Sequence, residues 1–136
     1  MRVRIALYAV ALCLCVVPLV SAQDAVKVDP KHYSVVSENE QVRILRVHYG
    51  AHEKSVMHSH PNSVAVFLND GKVKFTLPDG KTQELSVKAD QAQYTPAGTH
   101  LPEDPGDQPF DLILVELKGH SANKSAMKSE MKSETK

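Results

Sequence analysis

The chain has 136 residues, with 16 basic and 16 acidic side chains and 7 histidines. So even a balance offers no electrostatic footprint for nucleic acid or for an anionic membrane surface. Both cysteines, Cys13 and Cys15, lie near the N-terminus; the chain beyond them can form no disulfide, thiolate metal site or cysteine nucleophile.

Residues 1–22 read as a signal peptide. Arg2 and Arg4 supply a positive start, and the apolar run 5–17 is too short to span a bilayer. Pro18 breaks the run, and Val20, Ser21 and Ala22 offer the small side chains of a cleavage point. Neither cysteine follows the Gly, Ala or Ser expected before a lipid-modified cysteine. The expectation is export, periplasmic or secreted, with a mature chain starting near Gln23 and no membrane attachment after cleavage. Losing Arg2 and Arg4 takes the basic count from 16 to 14 against 16 acidic groups, a net charge of −2.

Residues 23–40 read as an N-terminal linker, through about residue 30, followed by a first strand. The segment 41–118 then carries strand periodicity. In 72–77, Val73, Phe75 and Leu77 share one face while Lys72, Lys74 and Thr76 share the other, and Asn69-Asp70-Gly71 and Pro78-Asp79-Gly80 supply turns on either side. The continuous apolar run 64–68 predicts a strand buried on both faces. Segments 41–49, 82–87, 92–95 and 110–117 complete the series. Short strands with Gly, Pro and Asp turns at close intervals predict an all-β sandwich or small barrel. Residues 119–136 contain no Val, Ile, Leu or aromatic side chain and repeat Met-Lys-Ser-Glu, so this stretch is expected to be a disordered tail.

His58-Ser59-His60 carries the chemistry. Alternate residues of a strand face the same way, roughly 6.6 Å apart along it. Two imidazoles so placed can converge on one cation at nitrogen–metal distances of about 2 Å. His100, delivered by the turn Pro96-Ala97-Gly98, is the candidate third ligand from a neighbouring strand. Glu116 shares its strand face with Leu112 and Leu114; if that face lines the barrel, Glu116 is a buried acid beside the metal.

These residues resemble the two sequence blocks of the cupin superfamily. The first block runs from Gly50 through His58, Ser59, His60 and Pro61 to Gly71; the second runs through Tyr94, Thr95, Pro96, Gly98 and His100. The resemblance covers about residues 42–118. It implies a cupin-type double-stranded β-helix, or jelly-roll barrel, holding one divalent metal ion (Fe, Mn, Zn or Ni) on His58, His60 and His100. Two departures stand out. The family glutamate falls at position 64 or 65, where this chain has Val64 and Ala65, and the spacing from Gly98 to His100 is one residue short. The first departure points to a three-histidine site, which keeps the full charge of the ion and favours a small anionic ligand. Similar three-histidine sites in the family serve thiol dioxygenases and a diketone-cleaving enzyme.

Glu116, His52 and Glu103 are the candidates for a supporting partner or substitute ligand. His52 reads first as a loop residue. Glu103 and Asp104 begin a segment, 102–109, that reads as a solvated loop. Met57 and Tyr94 are expected to line the cavity, and His32, His48 and His120 to be structural or surface residues. The functional expectation is a metal-binding protein, either an oxygenase or isomerase acting on a small anionic metabolite or a non-enzymatic binding module. A homodimer is expected by analogy with the family.

Overall fold

The computed structural model describes residues 23–119. The expected signal peptide, both cysteines, His120 and nearly all of the expected tail lie outside the described residues. In chain order come a one-turn helix α1 (Ala25–Val28), then β1 (Tyr33–Glu38), β2 (Val42–Tyr49), β3 (His58–His60), β4 (Ser63–Phe67), β5 (Gly71–Thr76), β6 (Thr82–Val87), β7 (Ala92–Thr95), β8 (Gly98–Glu103) and β9 (Phe110–Leu117). The strands form two antiparallel sheets, in the orders β1-β2-β9-β4-β7 and β3-β8-β5-β6.

The inner face of the larger sheet is graded. Arg43, Glu116, Ser63 and Thr95 stand in register across β2, β9, β4 and β7 and make one polar row. Leu45, Leu114, Ala65 and Gln93 make the next row, and Val47, Leu112 and Phe67 the third. The two-residue period fixes this, because the side chain at every second position points inward. Val73 and Val87 of the smaller sheet join the apolar rows in one core with Tyr33, Tyr49 and Phe110. Gly71 sits where a Cβ would come within 2.7 Å of the Phe110 Cβ, so only glycine lets β5 approach β9 there.

Three expectations change. Residues 23–30 are packed against the domain rather than forming a linker: Ala25 is fully buried, and the Gln23 carbonyl accepts from the Ser59 N–H at 2.8 Å. The run 64–68 is not buried on both sides; Ser63, Ala65 and Phe67 face the core, while Val64 and Val66 are half-buried on the outer face. The segment 102–109 is only partly a solvated loop. β8 extends to Glu103, and Asp104 is fully buried, its N–H donating to the Glu53 carbonyl.

Candidate metal centre

His58 and His100 are direct partners in the antiparallel pairing of β3 with β8, and His60 lies two residues further along the same face of β3. Strand alternation thus brings three imidazoles onto one surface. Their ring centroids form a near-equilateral triangle, 4.8 Å from His58 to His60, 5.3 Å from His58 to His100 and 5.5 Å from His60 to His100. One ring nitrogen from each falls within 4.8 Å of the others.

The surrounding groups settle which nitrogens are free. His58 Nδ1 donates to the Val56 carbonyl at 2.8 Å, while its Nε2 is buried and has no hydrogen-bond partner. His60 Nδ1 donates to Glu116 Oε1 at 2.6 Å, which leaves Nε2 with its lone pair. A buried imidazole nitrogen without a partner is a cost the fold bears unless something binds there. Burial, then the neighbouring His60, pushes the His58 pKa down to about 4. Burial, then His60 and His58, pushes His100 down to about 3. Both rings are therefore neutral near pH 7, the form that ligates a metal. A divalent cation would fit this donor set, and the set holds no carboxylate.

Behind His60 runs a chain of charges. Arg43 Nε donates to Glu116 Oε2 at 2.6 Å, and Arg43 Nη1 to Asp24 Oδ2 at 2.7 Å. Asp24 also caps α1, accepting from the Val26 N–H at 2.9 Å. Burial alone would raise the Glu116 pKa, but the hydrogen bonds from His60 and Arg43 outweigh it and hold Glu116 below its ordinary value. Behind His58, Ser55 donates to Asp29, which also accepts from His32 Nδ1 at 2.6 Å. Tyr33 packs edge-on against His58 at 4.9 Å and donates to or accepts from Tyr49 at 2.9 Å.

Of the supporting candidates, Glu116 reaches the cluster and two do not. Glu103 lies three residues after His100, so alternation turns it to the other face of β8, where it pairs with Lys74 at 3.3 Å. His52 is exposed in a loop and pairs with Asp107 at 3.0 Å. Tyr94 also departs from expectation: it stands opposite Val64 on the outer face and is 57% exposed, while Gln93 and Thr95 face inward. Met57 is half-buried and does not line the cavity. His32 is structural, stacked on Tyr49 at 4.2 Å, and His48 is an exposed partner of Asp111. Sequence reasoning missed Arg43 and Asp24. Arg43 shares the strand phase of Leu45 and Val47, but its place opposite Glu116 emerges only from the pairing of β2 with β9.

A cavity between the sheets opens beside His60 and His100 and is floored by Val47, Phe67, Val73 and Phe110. Its mouth lies at the exposed residues Leu85, Gln93, Pro96 and Gly98.

No protein-family model and no curated protein matches the chain. Solved structures do resemble it. A cupin domain from Bordetella pertussis Tohama I aligns at TM-score 0.60 and 21% identity, over 64% of this chain and 92% of that one. A conserved protein with a double-stranded β-helix domain from Klebsiella pneumoniae aligns at TM-score 0.53 and 22% identity, over 66% and 78%. An RmlC-like cupin family protein from Methanocaldococcus jannaschii aligns at TM-score 0.52 and 16% identity, over 62% and 77%. The chain has the cupin-type double-stranded β-helix fold.

Proposed function

We propose that this cupin-fold protein holds one divalent metal ion, Fe, Mn, Zn or Ni, on His58, His60 and His100, and presents it to a small anionic molecule in the adjoining cavity. The observation that carries the reading is the partnerless, buried Nε2 of His58 beside the imidazoles of His60 and His100. When bound, such an ion supplies Lewis acidity or, if it is iron, oxygen chemistry. The chain's own part is to fix the imidazole tautomers of His58 and His60 through Val56 and Glu116, keep the His58 and His100 rings neutral, and exclude water with the apolar cavity wall.

The enzymatic form of this reading is a mononuclear three-histidine oxygenase or isomerase. A specific observation favours the alternative, a non-enzymatic binding module. Among the described residues no Asp, Glu or Lys lines the cavity, and burial raises the Tyr33 and Tyr49 phenols above their ordinary range. No general base therefore faces a bound molecule. Metal analysis of the chain from Gln23, followed by oxygen uptake with thiols, diketones and keto acids, separates the readings. Stoichiometric metal with turnover supports the enzyme, metal without turnover the binder, and no metal even after reconstitution sinks both.

Export is part of the proposal, supported by the order of charged, apolar and small residues in 1–22. So is a homodimer, for which the half-buried outer face of Ile44, Val64, Ile113 and Val115 offers surface. Cell fractionation and light scattering test these; a cytoplasmic precursor or a monomer at high concentration would refute them.

A further inference from the structure

The cavity's own chemistry narrows what it accepts. Its wall is almost wholly aliphatic and aromatic, and among the described residues it contains no arginine, lysine or carboxylate. Most of its few polar groups are already engaged. The Tyr33 and Tyr49 hydroxyls bond each other at 2.9 Å, and the Ser63 hydroxyl donates to the Pro61 carbonyl at 2.7 Å. Thr95 differs: its Oγ1 is buried and has no partner. It stands in the polar row of the larger sheet, opposite Ser63 and in line with Glu116, which holds His60. The rows beyond it, from Leu114 and Ala65 to Leu112 and Phe67, are apolar.

We propose that the cavity takes a small monoanion whose head carries a keto or hydroxyl oxygen beside its carboxylate or enolate, with an uncharged apolar tail. The head lies at the histidine end, with its keto or hydroxyl oxygen recognised by the Thr95 hydroxyl, and the tail lies along the apolar rows. This rests on the metal reading above, since the ion is the counter-charge for the head. Short-chain keto acids, hydroxy acids and dicarbonyl enolates with alkyl or aryl tails meet the description. A second carboxylate would be buried in the tail region with no cation to meet it, and an amino acid would bring an ammonium group with no carboxylate to meet it. Sugars and phosphate esters would leave many polar groups without partners.

The test uses the full mature chain loaded with cobalt(II), with metal content measured before any ligand is added. α-Ketoisocaproate, α-ketoglutarate, leucine and isocaproate are then titrated against the visible cobalt spectrum and by calorimetry. The first three share a skeleton or head while differing in tail or head charge; the fourth lacks the keto oxygen. The expected order has α-ketoisocaproate binding at least about tenfold tighter than α-ketoglutarate or leucine. Thr95→Val is expected to keep the cobalt content and to lower the preference for α-ketoisocaproate over isocaproate roughly fivefold. α-Ketoglutarate or leucine binding as tightly as α-ketoisocaproate would overturn the proposal. So would an unchanged preference in Thr95→Val, or full cobalt loading with no response to α-ketoisocaproate. Failure of the wild type to take up cobalt is a separate result, which removes the metal reading and this one together.

Discussion

His60 has little freedom in this fold. Its Nδ1 proton is committed to Glu116 Oε1, and Arg43 Nε occupies the other carboxylate oxygen, Oε2, so both oxygens are engaged. Such a partner fixes the ring's orientation and raises the basicity of the free nitrogen. Glu116→Gln is therefore expected to weaken zinc binding about 10- to 100-fold in a chelator competition, with the fold retained. Equal affinity would mean that Glu116 serves only to satisfy Arg43. The imidazoles also set a pH dependence. The ordinary pKa of His58 and His100 is 6.5, and the folded chain holds His58 at about 4 and His100 at about 3. Between these values the unfolded chain binds more protons than the folded one, so metal-free stability is full above pH 6.5 and falls as the pH drops through this window. The urea midpoint of the metal-free protein should fall from pH 6.5 toward pH 4, and less steeply in His58→Gln. A flat profile would mean the rings are not held neutral. At this scale the His-Ser-His spacing was legible because strand alternation is local. Glu116 was legible only conditionally, since its role depends on which face of β9 meets the core. Arg43 and Asp24 were not, because their contacts bridge residues 43 and 116, and 24 and 43.

β3 is only three residues long and lies at the edge of its sheet, yet it carries two of the three candidate ligands. One side is held by β8; the other is held by the Gln23 carbonyl, positioned by α1 and its Asp24 cap. The N-terminal turn is thus part of the apparatus that fixes the histidine strand. Asp24→Ala removes the cap and the Arg43 ion pair, and is expected to cost about 1–2 kcal/mol of unfolding free energy. It should also speed hydrogen exchange at the Ser59 amide more than at Val47 in the core. Unchanged exchange at Ser59 would show that β8 alone holds the strand. A single helical turn has too few residues for a 3.6-residue stripe, which is why 23–30 reads as linker in the sequence. Its cap and its buried Ala25 become visible only once β3 is in place.

Across the whole molecule, the strands were legible where apolar and polar residues alternate, as in β5 and β6, and their bounds fall close to the turn residues. Pairing was not legible, because β2 joins β9 and β4 joins β7 across long stretches of chain. Residue 94 shows the consequence: a tyrosine reads as cavity lining, but the pairing of β4 with β7 turns it outward and Thr95 inward. The missing glutamate has a similar explanation. Val64 points to the outer face and Ala65 to the second inner row, so the acidic group that supports the cluster comes instead from Glu116, across the sheet. The proposed centre is a single ion held by three imidazoles. Elemental analysis of the natively produced mature protein, beside the His58→Ala/His60→Ala variant, tests it most directly. About one equivalent of a divalent metal in the wild type and almost none in a folded variant is the predicted result. A metal-free wild type that stays metal-free after reconstitution, or a variant that keeps its metal, would contradict it.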